Sequence, residues 1–593
     1  MPSSVMPTSS KGDGTQSPAA VSANGLRKSY GDKTVLDGID LHIPAGTVFA
    51  LLGPNGAGKT TAVKILSTLI SADGGQAQVA GHDVTTSPDG VRSAIGVTGQ
   101  FSAVDGLITG EENMLLMADL HHLSKREGRR VAAELLERFD LVEAAKKPAS
   151  TYSGGMKRRL DIAMTLVGNP RIIFLDEPTT GLDPRSRHNM WQIIRELVTG
   201  GVTVFLTTQY LESRRTRRPY RRAQRRQIAA QGTAEELKRL IPGGHVRLRF
   251  SDPAAYRAPP PRSARSPATT RHSRYRSPAT AASANCAPSS TGWTRPASRR
   301  RADRPHPRPR RRVLRPHRLQ RPQPAQGDRP MSTLSLAMRD SSTMLRRNLL
   351  HARRYPSLTL NLLLTPIMLL LLFVYIFGDA MSAGIGGGGA DRSAYIAYVV
   401  PGLLLMTIGS TTIGTAVSVS NDMTEGIIAR FRTMAIHRPA VLVGHVVGSV
   451  LQSVASVVLV GAVAVAIGFR STDATALEWL AAFGLLVLFA LALTWIAVGM
   501  GLISPNAEAA SNNAMPLILL PLLSSAFTPV DSMPGWFQPI AEYQPFTPAI
   551  ETLRGLLLGT EIGHNGWLAV AWCLGLAVLG YFWSKSLFIR DPK

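Results

Sequence analysis

FALLGPNGAGKTT, residues 49–61, is an apolar run followed by a glycine-rich loop that ends in Gly-Lys-Thr. Glycines in such a loop let successive backbone amides close around phosphate groups at the N-terminus of the next helix. Lys59 would then reach the β- and γ-phosphates, and the Thr60 hydroxyl would bind Mg²⁺. The stretch predicts a P-loop in an α/β nucleotide-binding domain. The predicted ATP-binding residues here are Gly53, Pro54, Asn55, Gly56, Ala57, Gly58, Lys59, Thr60 and Thr61.

A P-loop alone leaves kinases, GTPases and motor ATPases open, so a second element is needed. RIIFLDEP, residues 171–178, places two adjacent acids after an apolar strand. Asp176 would hold the metal ion through water, and Glu177 would polarise the attacking water as a general base. Residues 21–256 alternate strand-like runs with charged helical stretches, which is the pattern of an α/β domain.

The positive charge of the chain is confined to two segments. Of the formal net charge of +26, residues 213–227 (SRRTRRPYRRAQRRQ) contribute +8 and residues 257–330 contribute +17. The rest of the chain is therefore close to neutral, and no specific nucleic-acid partner is predicted. Residues 257–330, rich in Arg, Pro, Ala and Ser, lack the periodicity of a packed core and predict a low-complexity linker.

The N-terminus and the cysteines carry little information about function. Residues 1–20 are polar, without the apolar core of a signal peptide, and predict a short disordered tail. Cys286 and Cys573 offer neither metal-ligand spacing nor a disulfide framework, which fits a reducing cytosol.

From residue 358 onward, uncharged runs long enough to cross a hydrocarbon core about 30 Å thick follow one another. We expect residues 331–593 to form an all-α polytopic membrane domain of about six transmembrane helices. The predicted spans lie near residues 358–377, 394–420, 439–468, 479–503, 514–530 and 567–584. The fifth is short and flanked by Pro516, Pro521 and Pro529, which favours a kinked or partly re-entrant segment.

The basic residues around these runs predict the orientation of the membrane domain. With the N-terminus inside, eleven arginines and lysines fall in the cytoplasmic segments, against Arg392, Arg470 and Arg554 in the outer loops. This distribution satisfies the positive-inside rule. The sequence therefore predicts a multi-pass protein of the cytoplasmic membrane, with the α/β domain and both termini on the cytoplasmic side.

TYSGGMKRRLDIAMTL, residues 151–166, decides between the nucleotide-binding families. Its Ser-Gly-Gly precedes a basic helical stretch and lies 23 residues before Asp176. This resembles the signature of ATP-binding cassettes (ABC), with Tyr152 and Met156 in place of the commonest Leu and Gln. Residues 21–212 are similar to an ABC cassette in nearly every expected element. The resemblance implies that Ser153, Gly154 and Gly155 contact ATP bound to the opposite cassette.

Further roles follow from the register of the chain with the family. The resemblance implies that Tyr30 stacks on adenine, that Gln100 is the Q-loop glutamine acting in catalysis and at Mg²⁺, and that Asp183 is the D-loop aspartate. Gln209, in TTQYLE, stands where most cassettes have a switch histidine. Glutamine can donate a hydrogen bond to a γ-phosphate but cannot shuttle a proton at neutral pH. Drug-exporting cassettes of the daunorubicin-resistance type also carry Gln in this context, so the departure narrows the subfamily.

One cassette with six spans is half a transporter, and the resemblance implies a homodimer with two composite ATP sites. Residues 331–593 resemble the companion type-2 permease. We name residues 421–439 the coupling segment, since Ile427, Ile428 and Phe431 can dock on the cassette; a plain solvated loop is the alternative. His445 and Glu551 are either functional intramembrane polar groups or interface residues, and the interface reading is preferred.

Three interpretations compete for residues 213–227. A nucleic-acid site would need aromatic or groove-shaped support, and Tyr220 is the only aromatic residue there. A phospholipid-binding cluster is expected beside the membrane domain, whereas this segment lies inside the cassette. The third interpretation is a frame error in the coding DNA, beginning near Ser213 and restored near Gln227.

The frame-error hypothesis rests on the residues themselves. Cassettes of the family usually read something like EADRLADRIAVLDRG here. Codons GCC GAC CGT ATC GCC for ADRIA, preceded by C and read one base early, give Arg-Arg-Pro-Tyr-Arg, which stands at 217–221. Residues from about 260 to 330 share this composition and end at MSTLSLAMRDSS, which resembles the start of a separate permease subunit. An authentic linker is the alternative for the second segment.

The function predicted from these features is ATP-driven export of a hydrophobic or amphipathic compound, of drug or antibiotic type, across the cytoplasmic membrane. Two alternatives stay open: an exporter of lipid or glycolipid, and a non-functional product of frame shifts. A soluble ABC ATPase of the translation-factor type, binding RNA through its arginines, is disfavoured because that class carries two cassettes and no spans.

Overall fold

The apolar run before the P-loop forms a central strand of a mainly parallel sheet. We describe it in a computed structural model covering residues 19–208, 219–224, 227–233, 333–354, 356–377, 392–471 and 474–589. All of these residues belong to one structural unit, so the N-terminal α/β part and the helical part can be described together. Residues 1–18 of the predicted tail, the predicted linker, Gln209 and Cys286 lie outside the described residues, whereas Ala19 and Ala20, which were also assigned to the tail, belong to the first strand.

Two sheets build the α/β part. The strands are β1 (Ala19–Tyr30), β2 (Lys33–Pro44), β3 (Val48–Leu52), β4 (Gly74–Val79), β5 (His82–Asp83), β6 (Ile95–Thr98), β7 (Ile172–Leu175), β8 (Thr203–Thr208), β9 (Pro219–Gln224) and β10 (Gln227–Thr233). An antiparallel sheet has the order β2-β1-β4-β5, and the second sheet has the order β10-β9-β3-β8-β7-β6. Strands β9, β3, β8, β7 and β6 run parallel, which brings their carboxyl ends to one edge.

Helices cover the parallel sheet and extend beyond it. They are α1 (Lys59–Leu66), α2 (Pro88–Ala94), α3 (Gly110–Leu120), α4 (Lys125–Arg138), α5 (Gly154–Leu166) and α6 (Pro184–Thr199). Local sequence explains several of their starts. Thr109 and Glu112 form a reciprocal capping box at α3, and Ser153 and Asp183 cap α5 and α6.

The C-terminal part is helical. Its elements are α7 (Thr333–Arg354), α8 (Pro356–Leu372), α9 (Arg392–Thr424), α10 (Ile427–Arg432), α11 (Pro439–Ala466), α12 (Ala476–Ile503), α13 (Ala507–Ala514), α14 (Pro516–Leu519), α15 (Gln538–Tyr543), α16 (Phe546–Leu558) and α17 (Asn565–Ile589). Helix α7 is amphipathic, and a π-helical turn, Phe373–Phe377, continues α8. Buried apolar side chains of α9, α11, α12, α16 and α17 form a core of their own.

Four helices in the described part of the chain are long and apolar enough to cross a membrane, namely α9, α11, α12 and α17. They correspond to the second, third, fourth and sixth predicted spans. The first predicted span is the shorter helix α8 with its π-helical turn. The fifth forms no continuous helix: after α14 the chain tightens into a 3₁₀ turn at Leu520–Leu523. Pro521 lacks the N–H that an α-helix requires at this point.

The assignment of Arg554 to an outer loop is wrong. This residue lies in α16 and is 4% exposed. Its guanidinium donates from Nη1 to Glu551 Oε1 (2.6 Å) and from Nη2 to the Ser525 carbonyl (2.6 Å), and it lies 3.6 Å from the centroid of the Tyr398 ring. Because each charge is partnered, the pair is tolerated in an apolar core. Glu551 is therefore a packing partner within the helical part, as the interface reading expects.

Part of the arginine-rich segment forms a strand. Backbone pairing places Tyr220, Arg221 and Arg222 of β9 opposite Ala50, Leu51 and Leu52 of β3. Backbone pairing does not depend on side-chain identity, so the frame-error hypothesis remains a question for the nucleotide sequence.

Candidate nucleotide-binding site

The P-loop connects β3 to α1 with two residues in the left-handed region. Gly56 has φ 79° and Gly58 has φ 83°. A Cβ at Gly58 would lie 2.6 Å from Leu36 Cδ2 and 2.9 Å from the Val35 carbonyl oxygen. Glycine is thus required at position 58 by both dihedral angle and space. The loop ends at the N-terminus of α1, where free backbone N–H groups favour phosphate.

Lys59 lies under this loop with its ammonium group fixed in place. Its Nζ donates to the carbonyls of Gly53 (2.8 Å) and Pro54 (3.1 Å). The same nitrogen lies 3.5 Å from Glu177 Oε1, and the Lys59 side chain is 5% exposed. The predicted phosphate-binding cation and the predicted general base are therefore neighbours.

Asp176 follows β7 at the same edge of the sheet. Its Oδ2 accepts a hydrogen bond from Thr60 Oγ1 at 2.8 Å, which joins two of the three predicted Mg²⁺ ligands. Its Oδ1 accepts a hydrogen bond from Thr207 Oγ1. Hydroxyl and carboxylate oxygens are the ligands that Mg²⁺ prefers, so this pair fits a nucleotide-bound magnesium ion.

Thr207 was not singled out by the sequence, yet it positions both acids. Besides donating to Asp176, its Oγ1 accepts the backbone N–H of Glu177 at 2.9 Å. Glu177 has φ 47°, an uncommon conformation for a residue with a side chain. In the sequence, Thr207 could have been recognised as a hydroxyl near the end of a buried strand, β8, which pairs with β7.

We expect Thr207→Val to lower ATP turnover about tenfold, the effect of losing roughly 1–3 kcal/mol of polar contacts to a buried acid. Valine keeps the volume but can neither donate to Asp176 nor accept from Glu177. Steady-state ATPase measurements on the purified full chain test this. Thr199→Val, at the exposed end of α6, is the matched control and should behave as wild type. Equal rates for the two variants would remove Thr207 from the site.

Four of the other predicted site residues, Tyr30, Gln100, Ser153 and Asp183, are exposed. Among the described residues, no hydrogen bond or ion pair joins Tyr30, Gln100, Ser153 or Asp183 to Lys59, Thr60, Asp176 and Glu177. Tyr30 is 40% exposed, with Lys28 Nζ 5.7 Å from its ring centroid. Gln209 lies outside the described residues, and its role stays a prediction.

The signature residues form the exposed start of α5. Ser153 accepts the backbone N–H of Met156 at 3.3 Å, and both Ser153 and Gly154 are exposed. A Cβ at Gly155 would lie 2.9 Å from Ser186 Oγ, whose hydroxyl donates to Asp183 Oδ2 at 2.6 Å. The signature and D-loop residues are therefore packed side by side.

Arg158, one turn into α5, is a second residue that sequence reasoning missed. It is 4% exposed and holds two backbone segments of the site. Its Nη1 donates to the Gly99 carbonyl at 2.6 Å, and its Nη2 donates to the Asp176 carbonyl at 3.0 Å. Gly99 precedes Gln100, so one guanidinium links the Q-loop to the end of β7.

The coupling segment packs on the α/β part, as predicted. Ile427, Ile428 and Phe431 on α10 are 3%, 1% and 1% exposed. They belong to one apolar cluster with residues of the α/β part such as Val104 and Ile108. The alternative of a solvated loop is therefore wrong for these three side chains.

A buried arginine joins three elements at this contact. Arg347 on α7 donates from Nε to Asp105 Oδ2 at 2.5 Å and from Nη1 and Nη2 to both oxygens of Asp422 at 2.6 and 2.7 Å. His351 Nε2 lies 2.8 Å from Asp105 Oδ2, and His445 Nε2 lies 3.0 Å from Asp422 Oδ2. His445 therefore lies at a contact between α11 and α9 inside the helical part.

Although burial acts to raise it, the charges of Arg347 and His351 lower the pKa of Asp105 to about 2. A depressed pKa in the folded state contributes stability above the ordinary value of 3.8, and this contribution is lost as the pH falls towards about 2. We expect the melting temperature of Asp105→Asn to lie below that of wild type at neutral pH and to converge with it between pH 4 and pH 2. A constant difference across this range would contradict the assignment.

Two family models match separate segments of the chain. Residues 36–180 match the family model described as ABC transporter, and residues 340–558 match the model described as ABC-2 type transporter. The daunorubicin resistance ATP-binding protein DrrA2 of Streptomyces coeruleorubidus is 51% identical over 235 residues, which are 39% of this chain and 71% of that protein. The daunorubicin/doxorubicin resistance ATP-binding protein DrrA of Streptomyces peucetius is 48% identical over 239 residues, which are 40% and 72% of the two chains.

A solved structure of the ATP-binding subunit of an ABC transporter is also similar. It is 26% identical, covers 37% of this chain and 92% of its own, and has a TM-score of 0.35.

Proposed function

We propose a transport cycle from the premise that this chain belongs to the ABC transporters of the daunorubicin-resistance type, with an ATP-binding cassette joined to an ABC-2 membrane domain. It is a multi-pass membrane protein that hydrolyses ATP to export hydrophobic compounds. The observation that carries the cycle is the packed contact between the coupling segment and the cassette that holds the ATP site. Lys59, Thr60, Asp176 and Glu177 converge at the sheet edge, and the coupling segment is buried against the same cassette.

Different residues of the cassette bind phosphate, bind Mg²⁺ and activate water. The backbone amides of the P-loop and Lys59 hold the phosphates of ATP. Thr60 and Asp176, with Gln100, would hold Mg²⁺, which supplies neutralisation of phosphate charge. Glu177, held by Thr207 through its backbone N–H, takes a proton from the attacking water. Gln209 donates a hydrogen bond to the γ-phosphate.

Two copies of the chain form the transporter in this proposal. Ser153, Gly154 and Asp183 are exposed, so they are accessible to nucleotide bound by a second cassette. A homodimer would supply two composite ATP sites and double the number of spans. Closure of the two cassettes on ATP moves the coupling segments, and hydrolysis resets them.

The substrate class is a drug-like hydrophobic or amphipathic compound such as daunorubicin, in line with the names of both relatives. The cassette and both termini face the cytoplasm, since positive residues of the coupling segment lie on the cassette side. ATP is available there.

Cells expressing the chain should accumulate less daunorubicin than cells expressing the Glu177→Gln variant at equal protein level. Equal accumulation in the two would refute export by this chain.

We further propose that residues 213–227 and 257–330 arise from shifted reading frames, with 331–593 corresponding to a separate permease subunit. The match of 217–221 to a one-base-early reading of ADRIA supports this. Resequencing the coding DNA tests it. Single-base changes should restore a cassette-like 213–227 and a stop codon before Met331; if no such changes do so, the segments are authentic.

A further inference from the structure

Asp161 is a buried carboxylate of the signature helix α5 that the hydrolysis mechanism does not use. Its side chain is 0% exposed, and it has two cationic partners. One is Arg158 of the same helix, with Nη1 3.4 Å from Oδ2. The other is Arg430 of the coupling segment, whose Nη2 contacts Oδ1 closely and lies 3.2 Å from the Asp161 carbonyl. The carboxylate therefore joins the cassette to the permease.

Arg430 depends on this one carboxylate. It lies on α10 and is 6% exposed, so solvent does not compensate its charge. Its Nη2 also lies 3.4 Å from Thr165 Oγ1, but Nε and Nη1 have no hydrogen-bond partner within the described ranges. A buried guanidinium bound through one nitrogen is held mainly by its ion pair, and a buried charge left without its partner is costly.

Arg158 continues the contact to the catalytic residues. The nitrogen that faces Asp161 also donates to the Gly99 carbonyl, and the other terminal nitrogen donates to the Asp176 carbonyl. These carbonyls directly precede Gln100 and Glu177 in the sequence. When Arg430 moves, Asp161 loses one of its two cationic partners and interacts with Arg158 alone. Arg158 in turn holds the backbone at Gly99 and at Asp176.

Burial alone favours the neutral form of Asp161. It raises the pKa of this carboxyl, against the opposing charges of Arg430 and Arg158. Displacement of the coupling segment would leave a buried carboxylate with the longer, 3.4 Å contact to Arg158. The pairing of Asp161 with Arg158 therefore depends on the position of the coupling segment.

We propose that Arg430, Asp161 and Arg158 form a charge relay through which the coupling segment sets the positions of Gln100 and Glu177. This inference rests on the proposed export function and names residues that regulate it. Arg430 and Asp161 are positioning residues, since neither contacts the P-loop or the catalytic pair in the described structure. The relay predicts that drug binding in the permease stimulates hydrolysis through this ion pair.

The test compares daunorubicin-stimulated ATP hydrolysis by the full chain in nanodiscs. We expect Arg430→Ala and Asp161→Asn each to reduce the stimulated increment about tenfold, within the 5–150-fold range typical of coupling between sites. The KM for ATP should stay within about twofold, because the P-loop is untouched. Arg430→Lys, which keeps the charge, should restore part of the increment. Arg159→Ala, on the same helix but paired with exposed Asp140, is the control and should match wild type.

A double-mutant cycle separates the relay from a structural contact. If the two residues act through one contact, Arg430→Ala in the Asp161→Asn background should cause no further loss of stimulation. A lowered melting temperature with full stimulation in the folded fraction would overturn the relay, and so would additive losses. Absence of stimulation in wild type, together with unchanged hydrolysis in Glu177→Gln, would instead refute the proposed function.

Discussion

Replacing Glu177 by glutamine is expected to lower ATP hydrolysis by about 10²–10⁴-fold, the contribution typical of a positioned general base. The carboxylate lies 3.5 Å from Lys59 Nζ and accepts from Thr180 Oγ1 at 3.2 Å, so its orientation is fixed before ATP binds. Glutamine has the same shape but cannot accept a proton. The P-loop is unchanged, and ATP binding should therefore persist.

Two measurements separate the effect of Glu177→Gln on ATP hydrolysis from its effect on ATP binding. Steady-state hydrolysis and equilibrium binding of a fluorescent ATP analogue would be measured on the same preparations. Glu143→Gln, an exposed residue of the cassette, is the matched control and should leave both unchanged. Retained hydrolysis in Glu177→Gln would mean that another residue activates the water. Loss of nucleotide binding would mean that Glu177 supports the P-loop.

Removing Arg347 is expected to have the largest effect on stability. Its guanidinium, 3% exposed, is shared by Asp105 of the cassette and Asp422 of the permease. Arg347→Ala leaves two buried carboxylates without their main counterion, and loss of one partner from a buried pair costs about 3–5 kcal/mol. The cassette and permease should consequently separate more readily, which thermal unfolding and limited proteolysis of the full chain would detect.

Two further variants make this prediction specific. Arg353→Ala removes an exposed arginine of the same helix and should shift the melting temperature little. Arg347→Met combined with Asp105→Asn and Asp422→Asn removes the charges together and should recover much of the lost stability. An Arg347→Ala protein as stable as Arg353→Ala would show that this network does not hold the interface.

The elements that the sequence predicted well are those encoded by contiguous residues. The P-loop, the Asp176-Glu177 pair and the apolar face of the coupling segment each lie within one short stretch. Parallel pairing of β3, β7 and β8 then brings the ends of these stretches together. Four of the six predicted spans, which form α9, α11, α12 and α17, were predictable for the same reason, because their lengths and compositions are local properties.

Contacts between distant residues could not be read from the sequence. Arg347 and Asp105 are 242 positions apart, and Arg430 and Asp161 are 269 apart. From the sequence, Arg347 and Arg430 could be interpreted only as positive charges that set the membrane orientation. In the structure, each forms a buried ion pair that connects the helical part to the cassette. Arg554 was assigned to an outer loop because it lies between two predicted spans, whereas in the structure it belongs to α16 and forms an ion pair with Glu551.

Hydrolysis by this cassette is expected to drive export through the permease of the same chain. The most direct measurement is ATP-dependent uptake of daunorubicin into proteoliposomes holding the purified full chain with the cassette outward. We predict uptake that requires ATP and is lost in both Glu177→Gln and Lys59→Ala. Uptake that persists in either variant, or ATP hydrolysis without any uptake in wild type, would show that hydrolysis by this cassette does not drive export.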